Sequence, residues 1–208
     1  MLLHRLYQFA LVCFAAAIAS TAVAGPVVNQ PAPVFSGAAA DGTTIKLADL
    51  RGKTVVLEWT NHECPFVVKH YESGNIPSLQ KAAVDKGIIW LQVITSAPGK
   101  EGHVDGETAR KLNEHRGATP TNTVLDQDGT IGKLYGATNT PQFFIIDPQG
   151  VLWIGTNNGL ARQKPGGGFD VMTTSDGLFN NTVFSMATAR DGTLWVGSFG
   201  GVAKIRPS

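Results

Sequence analysis

Two runs, TVVLEW from Thr54 to Trp59 and IIWLQVIT from Ile88 to Thr95, are rich in β-branched residues and almost unbroken in apolar character. A strand that is apolar on both faces needs a covering layer on each side, so these runs predict buried central strands with helices packed on them. From Cys64 the pattern turns helical to about Lys86, and Gly74 and Pro77 break it into one interrupted helix or two short ones. Asp105 can cap a helix through ETARKLNEHR that Gly117 would end, with Ala109 and Leu112 inward and Arg110 pairing with Glu114 outside. NTVLD, a short helical GTIGKLYGA, QFFIID and VLWIGT follow, the last two joined across the turn residues DPQG. Strands alternating with helices, then a closing hairpin, make this an α/β chain with a mixed sheet.

A chain of 208 residues, 43% hydrophobic and 16% charged, can bury such a core as one domain, or one plus a fragment. The first residues stand apart. His4 and Arg5 precede an apolar run from Leu6 to Ala19, and Ala22-Val23-Ala24 offers a small-residue cleavage site before Gly25, as in a secretory signal peptide. The run is short for a bilayer, which argues against a retained anchor. Removal of residues 1–24 would take Cys13 with it and leave Cys64 with no internal disulfide partner. It would also move the formal charge from +1 to zero. A neutral chain without Lys/Arg runs offers no electrostatic basis for nucleic acid or an anionic membrane as partner. The expected location is periplasmic or secreted, where unprotected thiols are oxidised.

The last quarter repeats itself. GVLWIGTNNGLARQ, from Gly150, recurs as GTLWVGSFGGVAKI, from Gly192, at an offset of 42 residues. The repeat resembles the β-propeller repeats of two-component-regulator sensor proteins. About one and a half units are present and such units need neighbours, so a closed propeller is excluded. The tail is a remnant, a truncated copy, or an incomplete sheet completed by another molecule, and VLWIGT can serve both as the last strand before it and as its opening. The expected domains are a leader at 1–24, an α/β domain at 25–152 and a short all-β tail of partial repeats at 153–208.

The stretches LEWTNHEC, CPFV and TNTPQFFIID make the chain resemble the thioredoxin-fold redoxins, the branch of alkyl-hydroperoxide reductases and thiol-specific antioxidants, over about 34–152. The expected fold is thus a thioredoxin-like mixed sheet flanked by helices, with the propeller-repeat tail appended. Cys64 sits between a strand and a helix, where unpaired N–H groups and the positive helix end favour thiolate, and Pro65 fits the first helical turn. Glu58, six residues before Cys64, is where the resemblance implies a buried acid that exchanges a proton with the sulfur. The competing reading is an acid at a strand end paired with Lys53. Thr140-Pro141 is where these folds place a cis-proline against the cysteine, leaving the preceding backbone to meet an extended substrate. The implied assignments are Cys64 and Glu58 as catalytic, and Asn61, Pro65, Thr140 and Pro141 as substrate-contacting.

The departures are equally specific. Val67 stands where a resolving cysteine would be, and Leu57 and Asn61 stand where a peroxiredoxin has its Pro and Thr/Ser, with Thr60 one position out of register. No peroxide-orienting arginine can be assigned. Thioredoxin folds also close with a helix on the sheet, and here the repeat comes instead, so a sheet face stands open unless the tail or a partner covers it, at roughly 25 cal/mol per Å² of unburied apolar area. His62, Cys64 and His70 are a thin ligand set for copper or zinc, so neither metal nor cofactor is expected. Glu63 opposes a thiolate, and Lys69 and His70 would favour one if they turned inward. DQDG at 126–129 reads as a turn and GGG at 166–168 as a loop.

These readings converge on an exported single-cysteine thiol-disulfide oxidoreductase or weak peroxidase, with Cys64 as nucleophile and an external thiol, small or protein-borne, as reductant. The alternative is a non-catalytic redoxin-fold module that docks a protein partner through 150–208. A copper carrier is a third, weaker reading.

Overall fold

The computed structural model describes residues 31–164, 168–188, 193–198 and 200–205. The signal-peptide reading, with Cys13, lies outside the described residues, as do the GGG loop's first two glycines and the opening Gly192 of the second repeat.

In chain order the elements are β1 (Ser36–Ala39), β2 (Thr44–Lys46), a 3-10 turn (Leu47–Leu50), β3 (Val55–Trp59), α1 (Pro65–Glu72), α2 (Asn75–Val84), β4 (Ile89–Ile94) and α3 (Gly106–His115). β5 (Asn122–Leu125), α4 (Thr130–Tyr135), β6 (Gln142–Ile146), β7 (Leu152–Thr156), β8 (Gly159–Gln163) and β9 (Phe169–Met172) follow. A 3-10 turn (Thr174–Asp176), β10 (Val183–Thr188), β11 (Leu194–Ser198) and β12 (Gly201–Ile205) complete the chain. Among the described residues β1 to β9 form one sheet in the order β2-β1-β5-β4-β3-β6-β7-β8-β9, and β10-β11-β12 form a second. β3, β4 and β5 run parallel, and β6 returns antiparallel beside β3.

The two apolar runs are the central strands β3 and β4, and every residue of β3 is buried. The helical break falls at Gly74, whose φ of 71° lies in the left-handed region. Pro77 interrupts nothing: it sits in the first turn of α2, where its missing N–H has no partner to lose. Asp105 caps α3 by accepting from the Thr108 N–H at 2.7 Å. The expected Arg110–Glu114 pair is corrected: Arg110 donates to the Ala40 carbonyl, and the i,i+4 pair on this helix is Glu107–Lys111 at 2.6 Å. Ala109 is buried beside Ala40, which brings Arg110 within reach of a fixed backbone acceptor. The DQDG turn also has a task, since the buried Asp126 carboxylate accepts from the Ile131 and Gly132 N–H groups and caps α4.

Alternation sorts the large sheet into two faces. Val55, Leu57, Trp59, Phe144 and Leu152 pack with Tyr135 of α4 and the 3-10 turn's Leu47. Val56, Phe143, Ile145, Trp153 and Leu160 pack on the opposite face with Val67 and Tyr71 of α1, Ile76 of α2, and Val183, Met186, Leu194 and Val196 of the second sheet. Among the described residues the tail, in place of a terminal helix, packs on this face, with β10 lying against β6 and β7. β7 does serve twice, pairing with β6 on one side and β8 on the other, so the 152/153 boundary expected from sequence passes through a strand.

The repeat is visible as two equivalent hairpins. Thr156 pairs with Gly159 in one and Ser198 with Gly201 in the other, and each tryptophan faces a cation, Arg162 over Trp153 at 5.2 Å and Lys204 over Trp195 at 5.4 Å. Their surroundings differ, because Trp153 is trapped between the sheets at 2% exposure and Trp195 faces outward at 40%.

The sheets meet closely at Gly155, where a Cβ would lie 2.8 Å from Val183 Cγ1 and 3.1 Å from the Val183 carbonyl oxygen. Gly155→Val should push β10 off β7 and lower stability by about 1–3 kcal/mol. Urea unfolding followed by tryptophan fluorescence measures this directly.

Candidate functional site

β3 ends at Trp59 and the chain turns through Thr60–Glu63 into α1, placing Cys64 at the helix N-cap with φ −68° and ψ 123°. Asn61 organises this turn. Its Oδ1 accepts from the Glu63 N–H at 2.9 Å and its carbonyl accepts from the Cys64 N–H at 3.1 Å. A loop from the end of β4 clamps the turn from outside: Asn61 Nδ2 donates to Glu101 Oε1 at 3.3 Å, and the Gly102 N–H donates to the Glu63 carboxylate. Gly102 has φ +75°, and a Cβ there would strike the Asn61 amide. Asn61 is thus engaged in holding the loop.

Pro65 occupies the first helical position and Val67 is fully buried behind Cys64, while Phe66 is 69% exposed beside it. The Thr140–Pro141 peptide is cis, and the Cys64 Sγ–H donates to the Thr140 carbonyl oxygen at 3.3 Å. Cys64, the only free cysteine among the described residues, is partly exposed. Burial pushes its thiol up, but hydrogen bonding by the Thr140 side chain and by the Val67 and Phe66 N–H groups outweighs it. Glu101 opposes with its negative charge, and the net result lies below the ordinary cysteine value.

Glu58 is completely buried, and both its oxygens are taken by neutral donors. Tyr71 OH donates to Oε1 at 2.6 Å, and Trp90 Nε1 and Gln80 Nε2 donate to Oε2 at 2.7 and 2.9 Å. Lys53 has no part in this arrangement, and no hydrogen bond among the described residues joins Glu58 to Cys64. The donors continue outward in one direction. Gln92 Nε2 donates to Tyr71 OH at 2.7 Å, Thr123 Oγ1 to Gln92 Oε1 at 2.8 Å, Asn113 Nδ2 to Thr123 Oγ1 at 3.1 Å, and Arg116 Nη2 to Asn113 Oδ1 at 3.3 Å. The Arg116 guanidinium also lies 4.1 Å over the Tyr71 ring. Burial pushes the Glu58 carboxyl up, against the pull of its three donors and the Arg116 charge. Burial and the neighbouring carboxylate push the Tyr71 phenol well up too.

The network was missed in sequence, although its signal was present. Glu58, Gln92 and Thr123 are polar residues inside three otherwise apolar strands, and register places Glu58 beside Gln92 and Gln92 beside Thr123. The Glu101–Gly102 clamp left no sequence signal. His70 sits near the far end of α1 from Cys64, within 3.2 Å of Asn75 Nδ2, and so does not face the thiol. Among the described residues no group of three His, Cys, Asp or Glu side chains could hold a metal ion.

A thioredoxin-like sheet with one cysteine at a helix N-terminus opposite a cis-proline defines the class, and the comparisons agree. The AhpC/TSA family model matches residues 28–153, and the chain belongs to that family. The model of the two component regulator propeller matches residues 177–200. An uncharacterized conserved protein from Geobacillus kaustophilus is similar in fold at 23% identity, with a TM-score of 0.55 over 71% of this chain and 76% of the other. A hypothetical protein from Sinorhizobium meliloti 1021 is similar at 21% identity, with a TM-score of 0.53 over 71% of this chain and 79% of the other. A secreted disulfide oxidoreductase of Mycobacterium tuberculosis is similar at 21% identity and a TM-score of 0.46, over 57% of this chain and 79% of that one. No curated protein matched.

Tyr71→Phe should lower stability at pH 7 by about 1–3 kcal/mol, because it leaves Glu58 Oε1 and the Gln92 amide without their buried partner. A carboxyl held higher in the folded state than in the unfolded one binds its proton more tightly when folded. Stability therefore falls as pH rises from about 4.5 through the higher folded value. Glu58→Gln should flatten that slope, as read by denaturant melts across pH 4 to 8.

Proposed function

We propose that the protein is an exported thiol oxidoreductase in which Cys64 is the sole nucleophile and an external thiol completes the cycle. The observation that carries this is the cysteine itself: partly exposed, at the N-terminus of α1, 3.3 Å from the Thr140 carbonyl, with its thiol held below the ordinary value. Family membership supports a redox role. Export rests on the leader; no helix among the described residues is long and apolar enough to cross a membrane.

In disulfide exchange the Cys64 thiolate attacks one sulfur of the substrate disulfide, that S–S bond breaks, and the leaving thiolate takes a proton from solvent. A second thiol then attacks the mixed disulfide and releases Cys64. In the peroxide branch the thiolate attacks one oxygen, the O–O bond breaks to give a sulfenic acid and hydroxide, and thiol condensation releases water. Val67 is buried and has no thiol, so both routes end on an outside reductant. Pro65 and Pro141 shape the approach to the sulfur, Thr140 presents its carbonyl to it, and Asn61 fixes the preceding turn. Glu58, engaged by Tyr71 of α1 and Gln80 of α2, acts on Cys64 as a positioning residue by tying both helices to β3 and β4.

A docking role without turnover draws on Phe179, Val202 and Trp195, which the tail leaves exposed. It replaces the catalytic reading if the thiol proves unreactive.

Iodoacetamide alkylation of Cys64 should show a pH midpoint below that of a free cysteine. The larger thiolate fraction at pH 7 is offset only in part by lower intrinsic nucleophilicity, so Cys64 should alkylate faster than a free cysteine at that pH. Equal rates from pH 5 to 9 would overturn the proposal, and mass spectrometry after peroxide or glutathione disulfide separates the two branches. Glu101→Gln should move the midpoint further down, because it removes a negative charge that opposes the thiolate.

A further inference from the structure

The two repeats differ at one strand. In the first, β8 pairs with β7 on one side and with β9 on the other, through Leu160↔Met172, Ala161↔Val171, Arg162↔Asp170 and Gln163↔Phe169. The repeat offset of 42 makes β12 the counterpart of β8, with Val202 for Leu160, Ala203 for Ala161 and Lys204 for Arg162. Yet β12 pairs with β11 alone, so among the described residues its second edge holds no strand. The first repeat shows what such an edge accepts. Arg162 lies back over Trp153 while β9 sits on the far side of β8, and Lys204 lies back over Trp195 in the same way. The cation therefore leaves the β12 edge clear instead of guarding it.

The other strand edges are guarded. β2 has only three residues and ends on Lys46, and β9 carries Asp170, ion-paired with Lys164 at 2.7 Å. β10 has an irregular register between Val183 and Ser185 and lies against β6 and β7. Around β12 stand Phe179, Trp195 and Val202, three of the six large hydrophobic side chains exposed among the described residues. Trp195 is opposite Lys204, and Val202, two residues before Lys204, shares its outward face. Phe179 lies against Gly201 at the start of the strand. An unpaired backbone edge bordered by apolar side chains is a template for another strand.

The sequence of β12 is complementary to itself. Two copies of Gly201–Ile205 set antiparallel about Ala203 bring Val202 of each opposite Lys204 of the other, and Gly201 opposite Ile205. Large then meets small, each lysine stem covers a valine, and the two ammonium groups are not directly opposed. A register centred on Lys204 would oppose them. We propose that β12 is the interface of a symmetric dimer, in which the same strand of a second copy pairs with it about Ala203 and joins the two three-stranded sheets edge to edge. The contact uses one surface on both chains and closes at two copies. It stands apart from the redox reading, because no residue of the Cys64 site takes part.

Sedimentation velocity in reducing buffer, which excludes dimers linked through Cys64, reads the association. The weight-average mass should rise with protein concentration from one chain toward two. Val202→Lys sets like charges opposite each other twice per dimer and should weaken association about tenfold. Val202→Glu sets a carboxylate opposite Lys204 twice and should leave association equal or tighter. The ranking is specific to this register, since loss of an apolar contact alone would weaken both variants alike. Val202 is 57% exposed in the single chain, so both variants are expected to fold. A chain that stays monomeric up to about 1 mM, or any ranking other than Val202→Glu above Val202→Lys, overturns the dimer.

Discussion

A carboxylate buried in the middle of a sheet sets the terms for the rest of this fold. Glu58 lies on the central strand β3 with no access to water, and an unsatisfied carboxyl there would destabilise the fold by several kcal/mol. Satisfying it requires Tyr71 from α1, Gln80 from α2 and Trp90 from β4 at once. Those contacts fix both helices against the sheet, and α1 begins at Cys64. The Cys64 sulfur inherits its position from a hydrogen-bond network that does not touch it.

The same face carries the second constraint. Phe143, Ile145, Trp153 and Leu160 belong to the apolar face that α1, α2 and the second sheet cover together. Three strands of repeat-derived sequence cover it, and each hairpin keeps a cation over its tryptophan. A propeller unit normally buries its face against another unit. Here the redoxin sheet is the neighbour, which explains how so short a fragment packs into a core, and it places tail residues beside the cis-proline.

Much of this was legible in the order of residues. The runs at Thr54–Trp59 and Ile88–Thr95, the cap at Asp105, the turn at DPQG and the Cys-Pro step at a helix start are local, and their physics acts over a few residues. The Arg110 partner was not legible, because a long flexible side chain takes the acceptor that tertiary packing brings closest, in this case the Ala40 carbonyl. Nor was the clamp of Glu101 and Gly102 on the cysteine turn, which joins segments about 40 residues apart.

The sequence alone determined the α/β order of elements, the family, the repeat, and the lack of a resolving thiol at Val67, since these depend on periodicity and residue identity. Only the tertiary structure decided which donors hold Glu58, whether the sheet face stays open, and what surrounds Cys64. Those are matters of register and packing between distant segments. A glutamate in an apolar strand must find partners, but which partners follows from the strands and helices that β3 meets.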